Sequence, residues 1–246
     1  MICLSRLILD PRSRDVARDV ADCHALHRTV MSGFPLTTAD AQPARERFGV
    51  LFRLEAALRD PGALALLVQS DVWPDWSRLR PGYLLETGGE KENPACKRID
   101  DRYRTLGVGT VLRFRLRANP TRKVDTRSGP DGARRNGRRV DWRGEEERLA
   151  WLQRKGEQGG FRLLTVSGTS AVPSVVTWPG EMVAGSRPGG RLVATGGDTR
   201  LTFASVLFDG TLVVADRDRF QETLALGVGP GKAYGFGLLS IARPLD

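Results

Sequence analysis

The sequence of 246 residues has few of the side chains from which most metal and nucleophilic centres are built. Its three cysteines, Cys3, Cys23 and Cys96, are odd in number, far apart and without a Cys-x-x-Cys pair. This excludes a disulfide framework and argues against a structural zinc site. Histidine is scarcer still, since only His24 and His27 occur. Any imidazole chemistry must therefore use one of these two residues.

Long apolar runs are also missing. No stretch approaches the roughly 20 apolar residues that cross a bilayer. The amino-terminal MICLSRLILDPRSR lacks a charged n-region, a long apolar stretch and a small-residue cleavage site, so it is not a secretory signal. With 27% charged and 40% hydrophobic residues, the composition is typical of a globular protein. We expect a cytoplasmic protein.

Positive charge is concentrated in one segment. The chain has 38 basic and 29 acidic residues, a net charge of +9, and residues 113–143 hold eleven of the basic and three of the acidic ones, or +8. The basic residues of the segment are Arg113, Arg115, Arg117, Arg122, Lys123, Arg127, Arg134, Arg135, Arg138, Arg139 and Arg143. A local basic patch favours phosphate, most often that of nucleic acid, although a solvated loop without a ligand has the same composition.

The first part of the chain has the pattern of a β-α-β-β unit. Apolar runs at Ile2–Leu9, Phe48–Glu55 and Ala63–Ser70 predict strands, and residues 13–31 have helical periodicity with Ser13 as N-cap. This order is most of a ferredoxin-like unit. A Pro-, Gly- and charge-rich stretch at 74–104 follows, which predicts a domain boundary.

The second part repeats this order with insertions. The alternation in Thr110–Ala118 predicts a strand with one arginine face, Arg113, Arg115 and Arg117, spaced about 6.6 Å apart. The pattern continues with a helix over 145–158, a strand over 161–166 and a Gly/Pro/Ser-rich insertion at 167–199. It ends with strands flanking a turn at Asp209-Gly210, a helix over 216–226 capped by Asp216, and a strand over 235–241. The fold class predicted is α+β, with two tandem ferredoxin-like (RRM-like) β-α-β-β-α-β domains, 1–95 and 106–246, and loop insertions.

The Gly-rich segment GVGPGKAYGFGLLS, residues 227–240, matches neither a Walker loop nor a Rossmann fingerprint. Gly229 and Gly231 are nevertheless candidates to expose backbone N–H groups to an RNA phosphate, with Lys232 adding charge. The alternative is a tight connection from helix to strand that requires positive φ angles.

The two histidines lie three residues apart on the predicted first helix, so their Cβ atoms are about 5–6 Å apart and could bracket one phosphate. His27 also falls near the centre of the apolar stripe, where a packed core histidine fits the periodicity equally well. A metal site of Cys23, His24 and His27 lacks a carboxylate or a second cluster at ligand spacing.

Several blocks, in order, resemble the CRISPR-associated CasE family. They are IxLSRLILDPRSR from Ile2, HALHRT (24–29), LRFRLRANPTRK (112–123), LAWLQRKGEQGGFRLL (149–164) and GVGPGKAYGFGLLSIARP (227–244). The resemblance covers nearly the whole chain. It implies two tandem ferredoxin-like domains and a metal-independent endoribonuclease, with no cofactor, that cuts the stem-loop repeats of a CRISPR precursor transcript and stays with the product as a Cascade subunit. The sequence also allows a second function, that of a non-catalytic RNA-hairpin-binding or scaffold protein of the same fold.

The resemblance also assigns roles to residues. His27 matches the family's catalytic histidine, and two positions differ from the family pattern: His24 stands where relatives have tyrosine, and Ser32 where some have lysine. We expect His24 to orient the 2′-OH or to act as the partner acid. The expected RNA contacts beside Arg113, Arg115 and Arg117 are Arg122, Lys123, Arg134, Arg135, Arg138, Arg139, Arg154, Lys155, Gly229, Gly231 and Lys232.

Overall fold

The computed structural model describes residues 1–36, 43–57, 62–88, 92–124, 138–167, 171–187 and 199–244. For six of these it describes the backbone alone: Arg138, Val166, Ser167, Ala171, Val172 and Pro173. The described residues form a mixed α+β fold with two main antiparallel sheets, each with its own apolar core. Among these residues, no helix is long and apolar enough to span a membrane. The expected Arg134 and Arg135 contacts lie outside the described residues.

The first sheet has the order β2-β3-β1-β4, which is the strand order of a ferredoxin-like unit. Its strands are β1 (Cys3–Leu9), β2 (Leu51–Ala56), β3 (Leu64–Ser70) and β4 (Ala95–Arg98). Helices α1 (Arg14–Ala21) and α2 (Cys23–Ser32) cover one face, and the short α3 (Ala44–Arg47) precedes β2. The stretch predicted as a boundary supplies β4, which pairs with β1, and the helix α4 (Asp100–Arg104).

The single helix predicted over 13–31 is wrong, because the chain breaks it at Asp22. Asp22 has an extended backbone (φ −131°, ψ 108°), and its carboxylate accepts the backbone N–H groups of His24 and Ala25. Asp is one of the preferred N-caps, so it starts a new helix where the apolar periodicity suggests continuation. The consequence is that α2, which carries both histidines, has its own start and direction.

The second sheet repeats the ferredoxin-like order as β8-β12-β5-β13, with β11 added beside β12. These strands are β5 (Val111–Ala118), β8 (Phe161–Leu163), β11 (Val175–Arg187), β12 (Thr199–Val214) and β13 (Leu239–Ala242). Helices α5 (Glu145–Gln158) and α6 (Arg217–Leu226) pack on its apolar face, and two small hairpins flank it: β6 (Thr121–Val124) with β7 (Arg138–Asp141), and β9 (Thr165–Ser167) with β10 (Ala171–Pro173).

The predicted hairpin turn at Asp209-Gly210 is also wrong, since β12 runs straight through it. Asp209 binds the guanidinium of Arg115 on the neighbouring strand through two hydrogen bonds of 2.7 and 2.9 Å. Gly210 lies so close to the neighbouring chain that a Cβ there would be 2.5 Å from the carbonyl oxygen of Ser174. Asp209 therefore forms an ion pair, and Gly210 allows a close contact between strands. Much of the 167–199 insertion forms β10 and β11.

A buried arginine joins the two units. The Arg53 side chain on β2 is 2% exposed, pairs with Glu55, and donates to the carbonyl oxygens of Arg115 (3.2 Å) and Leu238 (3.1 Å) in the second unit. Glu55 also lies 3.6 Å from the Arg115 guanidinium, which itself binds Asp209. This charged network connects the sheets at the point where the Gly-rich segment enters β13.

We expect Arg53→Met to lower the free energy of unfolding by about 2–3 kcal/mol, because two buried carbonyls lose their charged donor. Urea unfolding followed by circular dichroism measures this change. Arg12→Met is the matched control, since the Arg12 side chain is 80% exposed and pairs with its near neighbour Asp10. It should leave the unfolding curve nearly unchanged. Equal effects of the two substitutions would contradict a connecting role for Arg53.

Candidate active site and basic groove

Helix α2 is held at its first turn by both units. The Asp22 carboxylate accepts from His24 N (2.8 Å) and Ala25 N (3.0 Å), and also from Ser186 N (3.1 Å) on β11. These backbone hydrogen bonds lower the pKa of Asp22 in spite of its partial burial. At the preceding position of β11, a Cβ on Gly185 would lie 2.8 Å from Asp22 Oδ1 and from Cys23 Sγ, so only glycine fits this approach. The start of α2 is therefore fixed against β11.

His24 and His27 lie side by side on α2, with ring centroids 6.3 Å apart. Both are partly buried, and the Nδ1 atom of each is buried without a hydrogen-bond partner among the described residues. Burial, with smaller contributions from His24 and Arg45, lowers the pKa of His27 from its usual 6.5 to about 4. The His27 imidazole is therefore neutral at pH 7. Cys23 does not complete a metal-binding group with the two histidines in the described part of the chain.

The Gly-rich segment packs against α2. After α6 it makes a 3₁₀ turn, Lys232–Tyr234, between Gly231 and Gly235, which both adopt left-handed conformations (φ 79° and 85°). A Cβ on Gly231 would lie 2.9 Å from the Phe236 ring. The expected tight connection with positive φ angles is thus confirmed. This turn places the Tyr234 ring 6.1 Å from the His27 ring, edge to face.

Sequence reasoning missed Tyr234. Its block was recognised for its glycines and Lys232, and no periodicity relates position 234 to a helix two hundred residues earlier. The signal that could have found it is the scarcity of tyrosine, since the chain has three.

A basic groove of about 590 Å³ begins at the same 3₁₀ turn. It is formed by β6, β7, α5 and the Gly-rich segment, and no carboxylate belongs to its described lining. The expected RNA-binding residues that line it are Arg122, Lys123, Arg139, Arg154, Lys155, Gly229 and Lys232. Gly231 adjoins it, and Arg138 is on β7, although its side chain is outside the description.

The cations of the groove are oriented by their neighbours. The Arg122 guanidinium lies 4.7 Å above the Trp142 ring, Arg139 donates to Thr121 Oγ1 (3.2 Å), and Lys155 donates to Gln158 (2.9 Å). Burial lowers the pKa of Lys232, and the nearby charges of Arg45 and Lys155 lower it further. Crowded cations of this kind favour an anionic ligand, because each is stabilised when a phosphate enters.

Two of the three arginines expected to form a row on β5 bind protein acceptors in the structure. Arg115 binds Asp209 and faces Glu55, as described above. Arg117 donates to Ser205 Oγ (2.8 Å) and lies 5.6 Å from the centre of the Phe236 ring. This face of the sheet is turned towards the first unit, so its arginines meet protein acceptors. Arg113 is exposed, but it does not line the groove.

The family follows from comparison with known proteins. The family model described as CRISPR associated protein matches residues 2–243. The chain belongs to this family. The CRISPR-associated endoribonuclease Cse3 of Thermus thermophilus is 36% identical over 243 residues, which are 97% of this chain and 99% of Cse3.

One further relative and one solved structure agree with this assignment. The Cascade subunit CasE of Escherichia coli is 32% identical over 139 residues, covering 56% of this chain and 60% of CasE. A solved structure of Cse3 bound to a 19-nucleotide RNA superposes with a TM-score of 0.72 at 35% identity, covering 98% of this chain and 99% of that one. The tandem ferredoxin-like fold expected from the sequence is confirmed.

The lowered pKa of His27 makes stability depend on pH. Unfolded His27 binds a proton below about pH 6.5, while folded His27 binds it only near 4, so acid favours unfolding across this window. Between about pH 7 and about pH 4.5 we expect the wild type to lose about 2.5 kcal/mol more stability than His27→Asn, measured by urea unfolding. Parallel stability curves for the two proteins would contradict the burial of a neutral imidazole.

Proposed function

We propose that this protein is a metal-independent endoribonuclease that cleaves CRISPR precursor RNA within its repeat stem-loops. One observation carries the proposal: the turn Lys232–Tyr234 belongs at once to the cation-lined groove and to the contact with His27. A stem held by its phosphates in this groove would therefore bring its backbone to an imidazole. The likeness to Cse3, an endoribonuclease with a solved RNA complex, supports the same substrate class.

The groove suits double-stranded RNA. RNA stems are recognised mainly through their shape and backbone, because their deep major groove is closed to side chains. We assign phosphate contacts to Arg122, Lys123, Arg139, Arg154 and Lys155, and backbone N–H contacts to the glycines of the Gly-rich segment. Arg115 and Arg117 instead hold the two units together. Arg134, Arg135 and Arg138 stay candidates for further contacts with the stem.

The reaction needs three tasks, and residues near His27 can supply them. A base removes the proton of the 2′-OH, whose oxygen attacks the adjacent phosphorus. A donor protonates the leaving 5′-oxygen, and cations stabilise the charge that develops on the phosphorane. The products are a 2′,3′-cyclic phosphate and a 5′-OH. His27 is neutral at pH 7, so we assign it the role of base, with Lys232 as a stabilising cation and His24 as the group that orients the 2′-OH or donates the proton.

We further propose that the protein acts in the cytoplasm, where its transcript is made, and stays on the product hairpin as a subunit of Cascade. The subunit role of the relative CasE supports this assembly. In the division we propose, the first domain contains the histidine helix and ends with β4, and the second contains the groove and the Gly-rich segment.

The decisive experiment incubates the protein in EDTA with a synthetic stem-loop of its host's own CRISPR repeat. We expect cleavage that disappears when the scissile nucleotide is 2′-deoxy, because the 2′-oxygen is the nucleophile. His27→Ala should bind the stem-loop like the wild type and lose cleavage by about 10²-fold or more. Products are read on a denaturing gel.

Each of the other possible results would indicate a different function for the protein. Tight binding of intact RNA by the wild type supports the non-catalytic hairpin-binding scaffold. Activity that EDTA abolishes indicates a metal-dependent nuclease, and unchanged cleavage by His27→Ala overturns the assignment of the base.

Binding has a separate test in its salt dependence. We expect Arg154→Gln to weaken binding of the uncleavable 2′-deoxy stem-loop and to reduce the slope of log K against log salt by about 0.7–0.9, the change for one lost phosphate contact. Fluorescence anisotropy at several salt concentrations measures the slope. Arg12→Gln removes the same charge from an exposed side chain that does not line the groove, and it should leave the slope unchanged. If Arg154→Gln behaves like this control, the groove does not hold the RNA.

A further inference from the structure

The three tyrosines of the chain have different surroundings. Tyr83 is buried and donates its hydroxyl to Asp19 (3.1 Å), and Tyr103 is buried and donates to Gln69 (3.0 Å). Burial raises the pKa of both phenols. Tyr234 is only partly buried, and its hydroxyl has no hydrogen-bond partner among the described residues. It is therefore the tyrosine whose hydroxyl is free to meet a ligand.

Tyr234 is also held in a defined place. Its backbone N–H donates to the carbonyl oxygen of Gly231 (2.8 Å), which closes the 3₁₀ turn. Its ring packs 5.1 Å from the Phe203 ring on β12 and 6.1 Å, edge to face, from the His27 ring. Contacts on two sides fix the ring, so the phenol stands beside the imidazole before any RNA arrives. Such preorganisation is what a proton donor needs.

The remaining task in the site is a proton donation. A neutral imidazole can take the proton of the 2′-OH, but it cannot at the same time give one to the leaving oxygen. Lys232 lines the basic groove with Lys155 and feels the nearby charge of Arg45, so we assign its charge to the phosphate. The phenol of Tyr234 belongs to the same turn and offers an O–H group that could donate a proton.

We propose that Tyr234 is a catalytic residue whose hydroxyl protonates the 5′-oxygen leaving the phosphorus, while His24 orients the 2′-OH. The inference rests on the proposed endoribonuclease function. In the step, the 2′-oxygen forms a bond to phosphorus as its proton passes to His27 Nε2. The bond from phosphorus to the 5′-oxygen breaks, and the 5′-oxygen takes the phenolic proton. The phenolate then recovers a proton from water, and His27 releases one.

The test uses two stem-loops that differ in one atom. In the first, the scissile 5′-bridging atom is oxygen, and in the second it is sulfur, which leaves as a thiolate and needs no proton. We expect Tyr234→Phe to slow single-turnover cleavage of the oxygen substrate by about 10²-fold or more, with unchanged RNA binding. On the sulfur substrate its rate should approach that of the wild type. His24→Phe should be slow on both substrates, because orientation of the 2′-OH is needed for each.

Tyr103→Phe is the matched control. It removes one phenolic hydroxyl that bonds to Gln69 away from the histidines, so it should cut both substrates like the wild type. Thermal melting of each variant verifies that it is folded at the assay temperature.

The outcomes separate the two claims. A wild type that cuts neither substrate refutes the proposed function itself. If the wild type cuts, then wild-type rates for Tyr234→Phe on the oxygen substrate overturn the inference. Equal losses on the oxygen and sulfur substrates overturn it as well, because they indicate packing and not proton donation. Rescue of His24→Phe by sulfur, without rescue of Tyr234→Phe, would make His24 the donor.

Discussion

The arrangement of the site depends on the buried guanidinium of Arg53. It reaches from β2 of the first unit to the carbonyl oxygens of Arg115 and Leu238 in the second. Leu238 is the residue at which the Gly-rich segment passes into β13, so the contact fixes one end of that segment against the first sheet. Because a buried cation without acceptors is costly, alternative placements of the two units are disfavoured. The position of Tyr234 relative to His27 follows from this constraint.

A second contact between the two units lies at the amino-terminal end of α2. Asp22 caps the helix and holds Ser186 of β11, so the second unit contacts the helix before its first turn and again through the Lys232–Tyr234 turn. Two contacts from one unit determine both the position and the direction of a short helix. This explains why α1 and α2 are separate. In a continuous helix Asp22 would not be an N-cap, so its carboxylate would not be held by His24 N and Ala25 N in the place where it receives Ser186 N of β11.

The sequence was informative where signals are local. The bounds of α5 were predicted from periodicity and glycines alone, and Asp216 was recognised as the cap of α6. The errors occurred where a residue serves a distant partner: Asp209 suggested a turn but binds Arg115 on the next strand. The same reason limited the site. Residues of β6, α5 and the Gly-rich segment could be nominated as RNA contacts, but their convergence on one groove, and the approach of Tyr234 to His27, depend on tertiary contacts that no spacing encodes.

The burial of His27 also connects binding to chemistry. In the free protein, desolvation and the charge of Arg45 disfavour the protonated imidazole. The charge of Arg45 also lowers the pKa of Lys232, so the cations around the histidine repel one another before a ligand is present. A phosphate that enters brings negative charge to this cluster, which raises the proton affinity of His27 and stabilises the ammonium of Lys232. Under the proposed function, the imidazole would become a stronger base when the scissile phosphate is in place. In this proposal the pKa of His27 is highest when the RNA and its 2′-OH are bound. This brings the pKa closer to neutral pH, where proton transfer contributes most to the rate.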